Sequence, residues 1–443
     1  MHASTYFIFE VKMAKKKEVV EGQEAPQVIS VDDIDKMIEK EFDDLVDMSK
    51  QDTKVKAWLD TGVYSLNYSC SKNLFGGIAV GRVTAIDGLQ GTGKSLLAAS
   101  VMKDPQVGKV LLLESEGGGS SHELLQFAGV DLSKVRIKKF KTFGNYKINK
   151  SNSRVEEIAD DKFPQKKEDE NWVYVEGLTR FLKRFINAIY FRGIKEKVLI
   201  VLDSLGNLMS VRELSGTKDM GARNIDINVF FRNFDADFEK TSTAFIFCNK
   251  LYTNIGNQYD PWKASGGTPV EYNPSLSIRL STSAETDDVS EKEMKEEKVR
   301  RASALGSSIK TVRAKIIKSR FGTEFRSIPF LIDFSVGPAR YSGLFTLCWD
   351  FGLIKKQGSR YTFEGIWGAE TFYKKDFIEL IRANEREILE KMQKCLEERE
   401  KVIMEKKKGI ETKDIEDEVA EEESPEFDSE EMMRAMDRDV EKV

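Results

Sequence analysis

Residues Gly88-Leu-Gln-Gly-Thr-Gly-Lys94-Ser95 match the pattern GxxxxGK[ST] in full. The apolar run Val83–Asp87 precedes them and the helical segment Leu96–Met102 follows. Nothing else in the chain narrows the fold as much, because phosphate binding needs that strand–loop–helix turn and not the letters alone. In such a turn glycines let backbone N–H groups wrap the phosphates, and the helix N-terminus adds partial positive charge. Lys94 reaches the β/γ-phosphates and Ser95 offers a hydroxyl to Mg2+. The motif predicts a site for ATP with Mg2+ built from Gly88, Gly91, Thr92, Gly93, Lys94, Ser95 and Leu96.

Around it, residues 55–350 alternate apolar strand-like runs with polar helical segments, the pattern of a parallel sheet covered by helices. Strands are expected at Val83–Asp87, Val110–Glu114, Val198–Asp203, Ala244–Cys248, Leu276–Leu280, Val312–Ser319 and Ile328–Phe334. The first four are nearly continuous apolar runs, as buried parallel strands are. The later ones alternate more, as in an antiparallel extension with one wet face. The fold class is therefore α/β, with a mixed, mostly parallel central sheet around a P-loop. Asp203 ends the run Val198-Leu-Ile-Val-Leu202, where a second Mg2+ partner is expected, and Ser204 follows it. Glu114 and Glu116 close another strand on one face. Glu116 lies further out and is the candidate to orient and deprotonate an attacking water.

The net charge of −5 argues at face value against a nucleic-acid partner, but it hides a split. Residues 411–443 hold fifteen acidic and four basic side chains, a net of −11, so the remainder carries −5 − (−11) = +6. The four cysteines (Cys70, Cys248, Cys348, Cys395) are scattered with no CxxC, against a disulfide framework or zinc site. Two histidines, His2 and His122, leave little room for a histidine metal centre or a Ser-His-Asp triad. No apolar run approaches the ~18–20 residues of a membrane span, and no basic region precedes Tyr6–Val11. A soluble, cytoplasmic chain is expected. Met13, followed by Ala-Lys-Lys-Lys, is an alternative start.

Five segments follow. Residues 1–30 read as a flexible arm. Residues 31–54 carry Ile34, Met37, Ile38, Phe42 and Leu45 at helical spacing, to pack on this chain or dock on a neighbouring copy. The core spans 55–352, interrupted by charged insertions at 149–172 and 284–304 that read as surface. Region 353–410 leads through Tyr361, Phe363 and Trp367 to a long helix bearing Phe377, Ile381, Ile388, Met392 and Cys395. The acidic tail is 411–443.

Two loops at the sheet's mouth suit a single nucleic-acid strand. Val211–Ile225 includes Met220, Gly221 and Arg223; Lys250–Thr268 includes Tyr252, Tyr259, Trp262, Lys263, Gly266 and Gly267. Backbone N–H groups at glycines hold phosphates while aromatic side chains contact bases, although polar loops at strand ends are common to most α/β enzymes.

Together with Val201-Leu-Asp-Ser-Leu-Gly-Asn-Leu208, Lys318-Ser-Arg320, Tyr341-Ser-Gly-Leu344, Phe351-Gly-Leu353 and Phe75-Gly-Gly-Ile78, these motifs make the chain resemble the RecA superfamily from about Leu59 to Phe351. Within it the chain is similar to the UvsX group of phage strand-exchange recombinases. The resemblance implies a RecA-like core and a DNA-dependent ATPase. It also implies helical filaments on single-stranded DNA that pair it with homologous duplex DNA, aided by single-strand-binding and mediator proteins in a phage-infected bacterial cell. It casts Glu116 as the catalytic glutamate and Met220-Gly221 as the first DNA loop. Arg232 becomes a cation on the following helix, and Gly266-Gly267 the end of the second DNA loop. Lys318 and Arg320 become cations that reach a neighbouring subunit's ATP. Two residues depart from the family. Lys250 stands where relatives carry a Gln or His that senses the γ-phosphate, and lysine accepts no hydrogen bond. Leu124 stands where an adenine-stacking tyrosine is found. A RecA-fold helicase and a recombination mediator with weak turnover share many of these features.

Overall fold

The computed structural model describes residues 54–115, 122–139, 146–148, 155–157, 175–210, 221–253, 262–282, 309–321, 326–364 and 371–408. The chain divides into two units, Met1–Lys54 and Val55–Val443, and every described residue except Lys54 belongs to the second. The predicted helical segment from residue 31, the arm, insertion 284–304 and the acidic tail lie outside the described residues.

The second unit opens with β1 (Trp58–Leu59), α1 (Tyr64–Ser71) and β2 (Ile78–Ala79). Then come β3 (Val83–Gly88), α2 (Lys94–Met102), β4 (Val107–Glu114), α3 (His122–Phe127) and β5 (Val135–Lys139). A short antiparallel pair, β6 (Tyr146–Ile148) and β7 (Val155–Glu157), precedes α4 (Val175–Phe191) and β8 (Lys197–Asp203). Next are α5 (Ala222–Lys240), β9 (Thr243–Thr253), β10 (Trp262–Ala264), α6 (Thr268–Tyr272) and β11 (Leu276–Thr282). The sheet is completed by β12 (Ile309–Ser319), β13 (Ser327–Asp333) and β14 (Gly337–Pro338). Its order is β14-β13-β12-β11-β3-β9-β8-β4-β5, with β10 turned back on β9.

Strands β11, β3, β9, β8, β4 and β5 run parallel, and β12, β13 and β14 extend the sheet antiparallel. One expectation is corrected here. Leu276–Thr282 belongs to the parallel block because it pairs with β3, and the antiparallel extension starts one strand later. Its first five residues pack against neighbours on both faces, so the partial alternation read from sequence reflects Ser277 and Arg279 and not a wet side.

The continuous apolar runs have a two-sided cause. In β8, Leu199 and Val201 enter one core with Leu97 and Val101 of α2, while Val198, Ile200 and Leu202 enter the other with α4 and α5. The second core is an aromatic block. Phe238 lies 5.3 Å from Phe245 and 5.5 Å from Phe234, ring centroid to ring centroid, and all three are buried. Since a buried Phe removes a large apolar area from water, this block anchors α5 against the sheet below the site.

After the sheet come α7 (Leu344–Asp350), the small antiparallel sheet β15 (Ile354–Gln357), β16 (Arg360–Phe363) and β17 (Thr371–Phe372), then α8 (Phe377–Ala383) and α9 (Glu385–Lys408). The single long helix read from Phe377 onward is in fact two. The backbone breaks at Asn384, with φ −141° and ψ 54°, although both halves keep their apolar stripe in one core with Tyr68 and Leu74. Glu400 of α9 is clamped by Lys72 at 2.7 Å and by Arg326 at 2.5 Å.

Candidate functional site

The six parallel strands deliver their C-terminal ends to one edge of the sheet, where a doubly wound fold presents ligands to loops and helix N-termini. At that edge β3 passes into the loop 88–93. Gly91 and Gly93 adopt φ of +74° and +89°, conformations that side chains with a Cβ rarely take. A Cβ on Gly88 would lie 2.8 Å from the carbonyl of Leu280, so the loop runs as close to β11 as a glycine allows. Thr92 Oγ1 donates to the Leu89 carbonyl at 2.9 Å. Lys94 Nζ lies across the loop, donating to the carbonyls of Gly88 and Leu89 at 2.9 and 2.8 Å. Leu96 turns away and is buried in the α2 core.

Ser95 Oγ donates to Asp203 Oδ2 at 2.8 Å. Residues 199, 201 and 203 share the α2 face of β8, so the carboxylate ends the strand directly against the first turn of α2. A hydroxyl and a carboxylate side by side, both oxygen donors, suit Mg2+ that takes its other ligands from phosphate and water. Among the described residues no larger cluster of His, Cys, Asp and Glu competes with this pair. The glycine cradle, Lys94 and this pair fit a magnesium nucleotide.

Glu116 lies outside the described residues, but Ser115, which directly follows β4, holds that strand's end to β8. Ser115 Oγ donates to the Ser204 carbonyl at 2.6 Å and accepts from the Ser204 N–H at 2.9 Å. The Ser115 N–H adds a bond to the Asp203 carbonyl at 2.9 Å. The ends of β4 and β8 are therefore stitched together next to Ser95 and Asp203. A serine between two glutamates at a strand end was the only signal.

On the opposite face of the same edge lies a second polar group. Asp87 is in register with Asn249 on β9 and Arg279 on β11. The carboxyl is buried, its Oδ1 has no hydrogen-bond partner, and burial pushes its pKa up to about 7. The charges of Arg279 and Lys94 and the Asn249 amide pull it down, while Glu271 of α6 pushes it up. Burial wins because desolvation acts on the whole carboxylate while no partner closes on Oδ1.

The predicted DNA-contacting residues separate into groups. Tyr252 and Lys263 sit opposite one another on the β9–β10 ribbon, with Tyr252 exposed. Gly266 and Gly267 follow that ribbon with φ of +103° and +66° and pack on the first turn of α5. Gly221 caps α5. Arg223 turns inward and donates to the carbonyls of Leu205 and Gly206, each at 3.1 Å. Arg232 is exposed mid-helix, about 13 Å along the axis from Arg223, and is not brought to the loop ends. Met220 lies outside the described residues. Lys250, level with Gly88 in the ladder, donates to Asn207 Oδ1 at 3.0 Å. Leu124 packs part-buried against the α2 core. Lys318 and Arg320 lie at the other edge of the sheet. Lys318 pairs with Ser277, and the Arg320 N–H donates to the Ser275 carbonyl at 2.9 Å. Lys318 Nζ donates to the Tyr272 carbonyl.

Fold and site define a P-loop α/β core with the mixed, mostly parallel sheet of the RecA type. No family model matches the chain. It is similar to proteins named RecA. With that of Tropheryma whipplei it is 27% identical over 175 residues, 37% of this chain and 35% of the relative. With that of Arthrobacter sp. it is 28% identical over 176 residues, 38% and 44% of the two chains. With that of Bacteroides thetaiotaomicron it is 28% identical over 171 residues, 37% and 47%. The chain spans less than half the length of these curated relatives. The likeness supports a RecA-superfamily relationship. Among the described residues no helix is long and apolar enough to cross a membrane.

Proposed function

We propose that the chain is an ATP-dependent recombinase of the UvsX type. It coats single-stranded DNA as a helical filament and pairs that strand with homologous duplex DNA in a phage-infected bacterium. The observation that carries the reading is the Ser95–Asp203 pair set under a glycine loop on a RecA-type sheet. Lys94 exchanges its two loop carbonyls for phosphate oxygens, and the loop's N–H groups hold the β-phosphate. Ser95 and Asp203 would hold Mg2+, which when bound would supply charge neutralisation to the phosphates. Glu116, one residue beyond the Ser115 stitch, orients the attacking water and takes its proton.

Single-stranded DNA runs past the ends of the two loops, with Met220, Gly221, Gly266 and Gly267 against its backbone. Tyr252 and Lys263 on the ribbon offer a stacking face and a charge. Lys318 and Arg320 serve the nucleotide of the next subunit, so hydrolysis depends on assembly. Single-strand-binding and mediator proteins are the expected partners on the DNA.

The test pairs two assays on the full chain. ATP turnover is measured with and without single-stranded DNA, and strand exchange is measured with homologous and heterologous duplexes. DNA-stimulated turnover with homology-dependent exchange is expected. Stimulated turnover without such exchange sinks the recombinase reading in favour of a helicase, and absent turnover sinks it in favour of a mediator.

A further inference from the structure

Arg223 was expected to meet DNA, yet its guanidinium is spent on protein. Nη2 donates to the carbonyls of Leu205 and Gly206, each at 3.1 Å, and Nη1 stands 3.5 Å from Ser265 Oγ. Leu205–Asn207 is the single turn that follows Asp203 and Ser204. Ser265 directly precedes Gly266-Gly267. One planar cation thus touches the start of α5, the turn behind the metal aspartate and the base of the second loop.

The rest of this circle is closed by hydrogen bonds. The Ser265 N–H donates to the Lys250 carbonyl at 2.9 Å, and Asn249 Nδ2 donates to the Ser265 carbonyl at 2.8 Å. Lys250 Nζ returns to Asn207 Oδ1 at 3.0 Å. The two loop ends are also in direct contact. A Cβ on Gly267 would lie 2.6 Å from Asn224 Nδ2, and one on Gly266 would lie 3.3 Å from Ile227 Cδ1. A shift of the first turn of α5 or of Gly266-Gly267 would therefore strain or break bonds that end on the turn 205–207. Charge-assisted bonds from a rigid fork transmit such a shift better than a flexible ammonium does.

We propose that Arg223 is a positioning residue that couples strand occupancy at both loop ends to the Asp203 turn, rather than a DNA contact. The inference rests on the recombinase reading. Coupling is reciprocal, so nucleotide must raise strand affinity through Arg223 by the factor by which the strand raises nucleotide affinity.

The experiment uses the full chain and fluorescein-labelled oligothymidylate. Affinity is measured with and without a slowly hydrolysed ATP analogue, across a range of salt. In the wild-type chain the analogue is expected to tighten binding by a factor within the usual roughly 5–150-fold range. In Arg223→Ala that ratio falls toward one, the DNA stimulation of ATP turnover falls with it, and the salt slope without nucleotide keeps its wild-type value. Arg223→Lys keeps the charge and lies between, and it carries the same comparison should the alanine variant not fold. A ratio that stays at the wild-type value overturns the proposal, whether melting falls or not. So does a salt slope reduced by about one, the mark of a lost phosphate contact. A wild-type chain that binds no oligothymidylate sinks the recombinase reading itself, and this inference with it.

Discussion

Asp87 offers a perturbation whose size can be worked from the structure. An ordinary aspartate gives up its proton near 3.8, while burial beneath the P-loop moves that of Asp87 to about 7. The folded chain therefore holds this proton more tightly than the unfolded chain does. The stability that follows is complete below about pH 4 and is lost as pH rises through about 7. At ~1.4 kcal/mol per tenfold difference in proton affinity, the gap is worth roughly 4 kcal/mol. Asp87→Asn keeps the shape and removes the titration. Any cost of leaving the Arg279 guanidinium beside an amide shifts the variant's curve by a constant. Urea unfolding of both chains across about pH 4 to 8 gives the difference between them. That difference is expected to move in favour of the variant by up to roughly 4 kcal/mol, most of it between pH 5 and 7. Curves that run parallel over the whole range would refute a carboxyl whose burial outweighs the Asn249 and Arg279 interactions at this position.

Three further outcomes follow from the same geometry. Lys94→Ala removes the only side-chain ammonium across the glycine loop among the described residues, and ATP turnover measured by phosphate release should vanish. Glu116→Gln should bind ATP and DNA and fail to hydrolyse; turnover at the normal rate would remove Glu116 from the role of base. Phe238→Ala empties a fully buried ring position stacked on Phe245, at a cost of about 3–5 kcal/mol, and an unchanged melting temperature would contradict that packing.

The parallel core could be read from the sequence because its strands are covered on both faces, so burial left an unbroken apolar run in the letters. The P-loop and Asp203 could be read for a related reason: chemistry fixes their residue types and the fold fixes their place at a strand end. What escaped depends on neighbours distant in the chain. The direction of β11 is set by pairing with β3, across nearly two hundred residues, and its own pattern carries two polar positions that mimic a wet face. The break at Asn384 was hidden because the apolar stripe continues through it. β5 (Val-Arg-Ile-Lys-Lys) has too few apolar positions to stand out, being an edge strand covered by less of the core. Ser115 and Arg223 bond mainly to backbone carbonyls and N–H groups, and a carbonyl leaves no trace in a sequence. In the letters an arginine at a loop end looks the same whether it points out to a nucleic acid or in, as Arg223 does.

Register also decides whose nucleotide Lys318 and Arg320 can serve. Lys318 pairs with Ser277, itself level with Ala85, and Arg320 bonds to Ser275, which bonds in turn to Val83. Along β3 they stand three and five residues before Gly88, about 10 and 16 Å, and β12 is two strands away, another ~10 Å. A single extended side chain does not bridge that separation to its own P-loop. If the two cations act in hydrolysis, they act on another copy, and two chains dead for different reasons must rescue each other. Lys94→Ala retains the cations and Lys318→Ala/Arg320→Ala retains the loop. Mixed in equal amounts, they form a competent junction wherever the second variant's loop faces the first variant's cations, about a quarter of head-to-tail contacts. ATP turnover on single-stranded DNA should therefore recover to about a quarter of the wild-type rate in the mixture, against none in either variant alone. No recovery, or a double variant that hydrolyses ATP normally by itself, would confine each site to one chain.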